Sequence, residues 1–243
     1  MDIVTVEQHN LSRAASVARR PMLVEVMGPA ASGKTTLTRW LSAQNPRIRA
    51  GMGIGKLGHV GPAARTIGGL VPTWARHHRD DRWLDRREMR SIARLETWSR
   101  ALDRGKTPDA DAIVFDHGPL YRLARLREFG PSLTRSASFR DWWRRSHRYW
   151  IDALDVVVWL EAPDEVLLER VDRRGHWYLS TEPDAGVKQE FLARYRRAFE
   201  EVLEPAGASS PSILRVRSDR HTTEQIAEQV LATLAAAERV VAR

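Results

Sequence analysis

The chain has 243 residues, 42% of them hydrophobic and 29% charged, with a formal net charge of +8 and no cysteine. That length fits one large α/β domain. The missing cysteines exclude a disulfide framework, thiolate chemistry and a zinc ribbon, and no apolar run reaches the roughly 18 residues of a membrane-spanning helix. The start, Met1 to Glu7, lacks the basic and apolar stretches of a secretory signal, so a cytoplasmic location is the default expectation. Lys34, Lys56, Lys106 and Lys188 are the only lysines, so the positive charge is carried by arginine. Those arginines alternate with acids, which predicts solvated helix faces and speaks against nucleic acid as the partner.

In chain order, residues 1–20 read as an N-terminal extension with a weakly amphipathic helix, set off by Pro21 from a domain over 21–243. Leu23 to Met27 is a buried strand, and the helix after it runs to about Gln44, where Asn45-Pro46 stops it. A further strand is suggested near Arg47–Ala50. The glycines from Gly51 to Gly69 predict a mobile loop; Gly53-Ile54-Gly55-Lys56-Leu57-Gly58 follows no convincing strand and is not read as a second nucleotide site. Residues 82–104 have helical spacing and end at Gly105. Ala112 to Asp116 is a buried strand leading into His117-Gly118-Pro119. Phe139 to Leu154 is a basic helix with Trp142, Trp143 and Trp150 at core-like spacing, a pattern that fits packing or a homodimer contact better than base stacking. Asp155 to Glu161 is a strand with nearly continuous apolar character, as strands buried on both faces are. Pro163 opens a helix to about Arg174, a polar loop follows, and 187–203 is amphipathic. A last strand at Ile213–Val216 precedes a helix over 222–238 capped by Thr222 or Thr223. Alternating strands and helices predict a parallel sheet with right-handed crossovers.

The chemistry concentrates at Gly28-Pro29-Ala30-Ala31-Ser32-Gly33-Lys34-Thr35, which reads G-x-x-x-x-G-K-T between a strand and a helix, the phosphate-binding loop pattern in its required context. Glycine lets backbone N–H groups close on phosphate oxygens, and the positive end of the next helix adds to that field. Nucleotide phosphates are expected on Gly28, Ala31, Ser32, Gly33, Lys34, Thr35 and Thr36. Lys34 reaches the β- and γ-phosphates, and the Thr35 hydroxyl holds Mg²⁺. Asp116 ends a buried strand, where parallel sheets place ligand chemistry, and can share the metal or take a proton from an attacking hydroxyl. His117 is a candidate substrate contact. Arg87, Arg90 and Arg94 share one side of the 82–104 helix and suit a phosphate or carboxylate on an acceptor. Arg170 and Arg174 lie one helical turn apart before a loop, where guanidiniums can close on transferring phosphoryl oxygens.

Beyond the loop itself, Pro163-Asp164-Glu165-Val166 through Arg170 and Arg174-Gly175, then Phe191-x-x-x-Tyr195, resembles the lid region of thymidylate kinase-like P-loop kinases. Phe115-Asp116-His117-Gly118 stands where that family carries strand, aspartate and arginine, and Ser218 to Ile226 resembles its adenine loop. The resemblance covers roughly 22–45 and 112–234. It implies a three-layer α/β/α P-loop NTPase fold with a five-stranded parallel sheet in order 2-3-1-4-5, an acceptor region over about 47–105 and a lid over about 170–190. It also implies ATP with Mg²⁺ as donor and γ-phosphoryl transfer to a nucleoside, a nucleotide or another small molecule. Under it Lys34, Asp116, Arg170 and Arg174 are the catalytic set, with Thr35 and Asp116 on the metal. His117 replaces the family's arginine, and 47–105 shows no counterpart of its thymine-binding residues, so the acceptor stays open.

The alternative is a P-loop ATPase that couples hydrolysis to a conformational or nucleic-acid task. Motors of that class usually place a glutamate after the strand-end aspartate to activate water, where this chain has His117. GTP-selective switches carry an Asn/Thr-Lys-x-Asp loop that is absent from the sequence.

Overall fold

The computed structural model describes residues 6–7, 20–54, 60–77, 82–174, 184–203 and 211–241. Six strands form one sheet: β1 (Val6–Glu7), β2 (Met22–Met27), β3 (Ile48–Ala50), β4 (Ala112–Asp116), β5 (Val156–Glu161) and β6 (Ser212–Arg217). Their order is β1-β6-β5-β2-β4-β3. The five strands β2 to β6 run parallel, and numbered among themselves they stand in the expected order 2-3-1-4-5. The extension adds what the sequence did not announce: Val6 and Glu7 pair antiparallel with Leu214 and Ile213, lengthening the sheet at one edge. The helix expected before Pro21 lies outside the described residues.

Eight helices cover the sheet: α1 (Lys34–Gln44), α2 (Val60–His77), α3 (Arg86–Asp103), α4 (Pro119–Phe129), α5 (Ala137–Ala153), α6 (Asp164–Arg174), α7 (Ala185–Leu203) and α8 (Thr223–Val241). Alternation along each strand sorts side chains between two cores. Val24, Val26, Ala112, Val114, Val156, Val158 and Leu160 join α1 and α8 on one face. Leu23, Met27, Ile113, Phe115, Val157 and Trp159 face the larger core against α2, α3, α4, α5 and α7, while Leu167 of α6 packs with Ala162 and Leu192. Both faces of the central strands are buried, which explains their near-continuous apolar character.

The tryptophan-rich helix is core. Trp142, Trp143 and Trp150 are buried, the ring of Trp150 meets Trp98 and Phe115 edge-on at 6.4 Å, and Trp142 Nε1 donates to Glu96 Oε1 at 2.7 Å. Rings in that position offer no platform for bases. No helix among the described residues is long and apolar enough to cross a membrane.

Two helices correct the expectations. The stretch read as a mobile loop is helical from Val60 onward, despite Gly61, Gly68, Gly69 and Pro72. Leu70 is buried there and Ile67 packs on the main core, so tertiary burial overrides weak propensity; residues 55–59 lie outside the described residues. Pro119 begins a helix where the sequence reading placed no element, because its fixed φ and missing N–H suit the first helical position. The helix expected over 82–104 begins at Arg86, since Asp85 and Glu88 form a capping box.

Candidate active site

The phosphate loop leaves the carboxyl end of β2, the central strand, and enters α1. Gly28 has φ +141°, and a Cβ there would stand 2.3 Å from the Leu160 carbonyl oxygen of β5, so both conformation and space demand glycine. Ala31 (φ 61°) and Gly33 (φ 99°) are left-handed, the arrangement in which successive N–H groups point into one concavity. No side chain caps α1 and no acid stands in its first turn, so its positive end faces the loop. The Ser32 hydroxyl, close to Gly28, is buried without a hydrogen-bond partner. Lys34, only 7% exposed, arches back to donate to the carbonyls of Gly28 (2.8 Å) and Pro29 (2.6 Å).

Asp116 arrives beside the loop because β4 is hydrogen-bonded to β2, with Val26 opposite Asp116 in register. Thr35 Oγ1 donates to Asp116 Oδ2 at 2.6 Å, so the two residues read from sequence as a metal pair do meet. Asp116 Oδ1 is buried with no hydrogen-bond partner. A buried carboxylate beside a threonine hydroxyl suits a hard cation. Among the described residues no group of three or more histidines, cysteines or carboxylates forms a cage. A cation held by Thr35 and Asp116 would have to draw its remaining ligands from outside this pair.

His117 follows at φ 58°, a strained setting for a non-glycine residue, and its Nδ1 lies 3.2 Å from Asp116 Oδ1. Burial pushes its pKa down to about 4, helped by Lys34, Arg122 and Arg125 and opposed by Asp116. At neutral pH the ring is uncharged. Its edge meets Tyr121 at 4.3 Å, and Tyr121 in turn packs on Tyr195 and Phe199 of α7.

A residue that sequence reasoning passed over organises this side of the site. Glu25 lies on the face of β2 shared with Leu23 and Met27, fully buried, and accepts from the N–H groups of Leu120 and Tyr121 at 2.8 Å each. It thus caps α4 from a strand 95 residues away. A lone charge inside an apolar strand was the available signal. Burial raises its pKa to about 7, against the two N–H bonds and Arg122, which lower it.

The sign of the pH effect follows. A carboxyl whose folded pKa lies above its unfolded value stabilises fully below about 4.5 and loses that contribution as pH rises through about 7. The loss is on the order of 3 kcal/mol. Denaturant titrations from pH 4 to 8 on wild type and Glu25→Gln should show the wild type losing ground to the variant across that window; a difference constant with pH would show that Glu25 does not titrate there.

The remaining candidates divide. Arg94 is half-buried and adjoins Arg122 of α4, while Arg87 and Arg90 are exposed on the same helix. Arg170 Nη1 and Nη2 donate to the Ser218 hydroxyl (3.2 Å) and carbonyl (3.0 Å), tying α6 to the turn after β6. Arg174 ends α6, and 175–183, the middle of the expected lid, lies outside the described residues. Arg122 and Arg125 were missed because α4 was not recognised as a helix.

The chain matches no protein-family model, and no curated protein matches it in sequence. Its fold is that of the P-loop NTPases. Solved structures that share it include a deoxyadenosine kinase from M. mycoides with the products dCMP and dCDP, at a TM-score of 0.51 and 13% identity over 88% of this chain and 100% of that one. The YorR protein from Bacillus subtilis, in complex with phosphorylated GDP, superposes at 0.51 with 14% identity over 90% and 98%. Thymidylate kinase from Candida albicans superposes at 0.53 with 14% identity over 92% and 95%.

Proposed function

We propose that the protein is a phosphotransferase that moves the γ-phosphoryl group of ATP, bound with Mg²⁺, to a nucleoside or nucleotide acceptor. The observation that carries this reading is the meeting of the Gly28–Thr35 loop with Asp116, whose Oδ2 accepts from the Thr35 hydroxyl while its buried Oδ1 accepts no hydrogen bond. The loop's N–H groups, the Ser32 hydroxyl and the positive end of α1 bind the donor's phosphates, and Lys34 swings from the Gly28 and Pro29 carbonyls onto the β- and γ-phosphates. Thr35 and Asp116 are the residues that would hold Mg²⁺, which would supply charge withdrawal from the donor's phosphates. Arg170 fixes the Ser218 turn where an adenine ring would lie, and Arg174 carries the lid role. The acceptor enters between α3 and α4, past His117. Kinase neighbours of the same fold support the reading.

The hydrolase alternative requires a group that activates water beside Asp116. The residue in that place is His117, neutral and strained, with its Nδ1 already against the carboxylate. Transfer to a bound acceptor is the better supported outcome.

The test is ADP formation from Mg²⁺-ATP across a panel of nucleosides and mononucleotides. At least one acceptor should raise the rate about 100-fold above basal hydrolysis. Hydrolysis that ignores every acceptor would replace this reading with an ATPase.

A further inference from the structure

Helix α4 carries a buried cation that no carboxylate among the described residues pairs with. Arg122 is 7% exposed. Its Nη1 reaches only the Ser91 hydroxyl, at 3.3 Å, its guanidinium lies 5.2 Å over the Trp98 ring, and its Nε is buried with no hydrogen-bond partner. Two charges of its own sign act on it, Arg94 from α3, itself next to Arg90, and Arg125 one turn along α4, against Glu25 and Tyr121. Burial first, then Arg94, pushes its pKa down to about 10. The carboxylate that opposes them is Glu25, and both its oxygens are committed to the N–H groups of Leu120 and Tyr121. Arg125 is held by the Tyr121 hydroxyl at 3.4 Å, and no carboxylate pairs with Arg90, Arg94, Arg122 or Arg125 among the described residues.

Burying a guanidinium without a partner costs several kcal/mol, and bringing like charges to it costs more. Such an arrangement persists where the counter-charge arrives with a ligand. The cluster adjoins the transfer site, because Lys34, Arg122 and Arg125 all bear on His117, the residue after Asp116. The donor's phosphates already have their own cradle in the loop and α1. A second anion locus at this distance belongs to the other substrate.

We propose that Arg122 and Arg94, with Arg125 beside them, bind the phosphate of an anionic acceptor, so that the substrate is a nucleoside monophosphate and not a nucleoside. The inference rests on the phosphotransferase reading above. Guanidinium forks match phosphate oxygens in pairs, and the dianion supplies the charge that the cluster lacks. It also removes the need for a base. An oxygen of the acceptor's phosphate, already ionised, forms the new bond to the γ-phosphorus, and the bond from that phosphorus to the β–γ bridging oxygen breaks. The products are a nucleoside diphosphate and ADP, with no proton abstracted from a hydroxyl.

Calorimetric titration of the full chain, loaded with Mg²⁺ and a non-hydrolysable ATP analogue, tests this with paired nucleosides and monophosphates and with inorganic phosphate. At least one monophosphate should bind about 100-fold more tightly than its nucleoside. Arg122→Met should erase that preference while changing analogue affinity within about twofold, and its melting temperature should not fall, because the buried charge is gone. If Arg122→Met does not fold, Arg94→Gln at the half-buried position should weaken the monophosphate about tenfold.

Equal affinity for nucleoside and monophosphate, or binding of no monophosphate, overturns the proposal. So does an Arg122→Met chain that loses analogue affinity as steeply, which would give the cation to the donor. Inorganic phosphate binding as tightly as any monophosphate would make the cluster a site for free phosphate. Efficient phosphorylation of nucleosides would refute this inference and leave the kinase intact, whereas turnover with no acceptor would refute the kinase itself.

Discussion

Replacing Lys34 by alanine is expected to lower acceptor-dependent turnover by about three orders of magnitude while leaving the chain folded. The ammonium lies inside the loop, on the Gly28 and Pro29 carbonyls. From there a change of side-chain rotamer brings it onto the phosphates without disturbing the backbone. It is the positive side chain at the centre of the donor cradle, where charge accumulates as the γ-phosphoryl moves. The structural loss is small by comparison: two hydrogen bonds to carbonyls, at about 1 kcal/mol each, against a buried charge removed. Single-turnover kinetics and a thermal melt on the same preparation separate the two effects. Turnover within about tenfold of wild type would remove the loop from the chemistry.

The second large effect is on stability and comes from Gly118. Its φ of −74° is open to any residue, so conformation does not require glycine; space does. A Cβ there would stand 2.6 Å from Glu25 Cδ, 2.9 Å from Glu25 Cγ and 2.7 Å from Phe115 Cβ. Both neighbours are buried and neither can retreat: Glu25 is pinned by two N–H groups, and Phe115 is packed against Trp98 at 5.0 Å. Gly118→Ala must therefore push the carboxylate off the start of α4 or push α4 off the sheet. The combined cost of overpacking and broken buried hydrogen bonds is about 4 kcal/mol, a fall in melting temperature of about 10 °C for a chain of this size. The cause can be isolated. In a Glu25→Ala background the same substitution should cost clearly less, leaving only the Phe115 contact. Equal costs in both backgrounds would show that Glu25 is not what Gly118 makes room for.

The contrast between these two predictions shows which parts of the site could be read from the sequence. Lys34 was legible because a phosphate loop is local: eight consecutive residues carry the turn, the dipole end and the cation. Asp116 was legible as the polar end of an apolar strand, and the parallel order followed from strands alternating with helices. Glu25 and Gly118 were not, since each has meaning only through the other, and no periodicity links a strand residue to a helix start 95 positions on. Helix α4 escaped for a related reason. Pro119 looks like a loop after His117-Gly118 unless it is given the first helical position, and with α4 unread Arg122 and Arg125 had no face to belong to. The glycines of α2 misled in the same way, because burial of Leu70 stabilises a helix that local propensity disfavours. Arg170 shows a contact that the spacing did not announce. Its spacing suited a phosphate clamp, but the chain places Ser218 within its reach.

Charge tells a similar story. Net charge +8 spread over arginines reads as solvated surface, and much of it is, with Arg47, Arg82, Arg144 and Arg173 paired to acids at the exterior. Arg122 has the same letter and the opposite environment. Only the fold distinguishes a guanidinium that water neutralises from one that a substrate must.

The most direct test of the central claim follows the phosphoryl group itself. ATP labelled with ¹⁸O on the γ-phosphoryl is turned over with Mg²⁺ and the best acceptor from the panel, and the products are weighed by mass spectrometry. The account predicts the label in the phosphorylated acceptor, with little in inorganic phosphate. Label recovered as inorganic phosphate, at a rate that no acceptor changes, would contradict it.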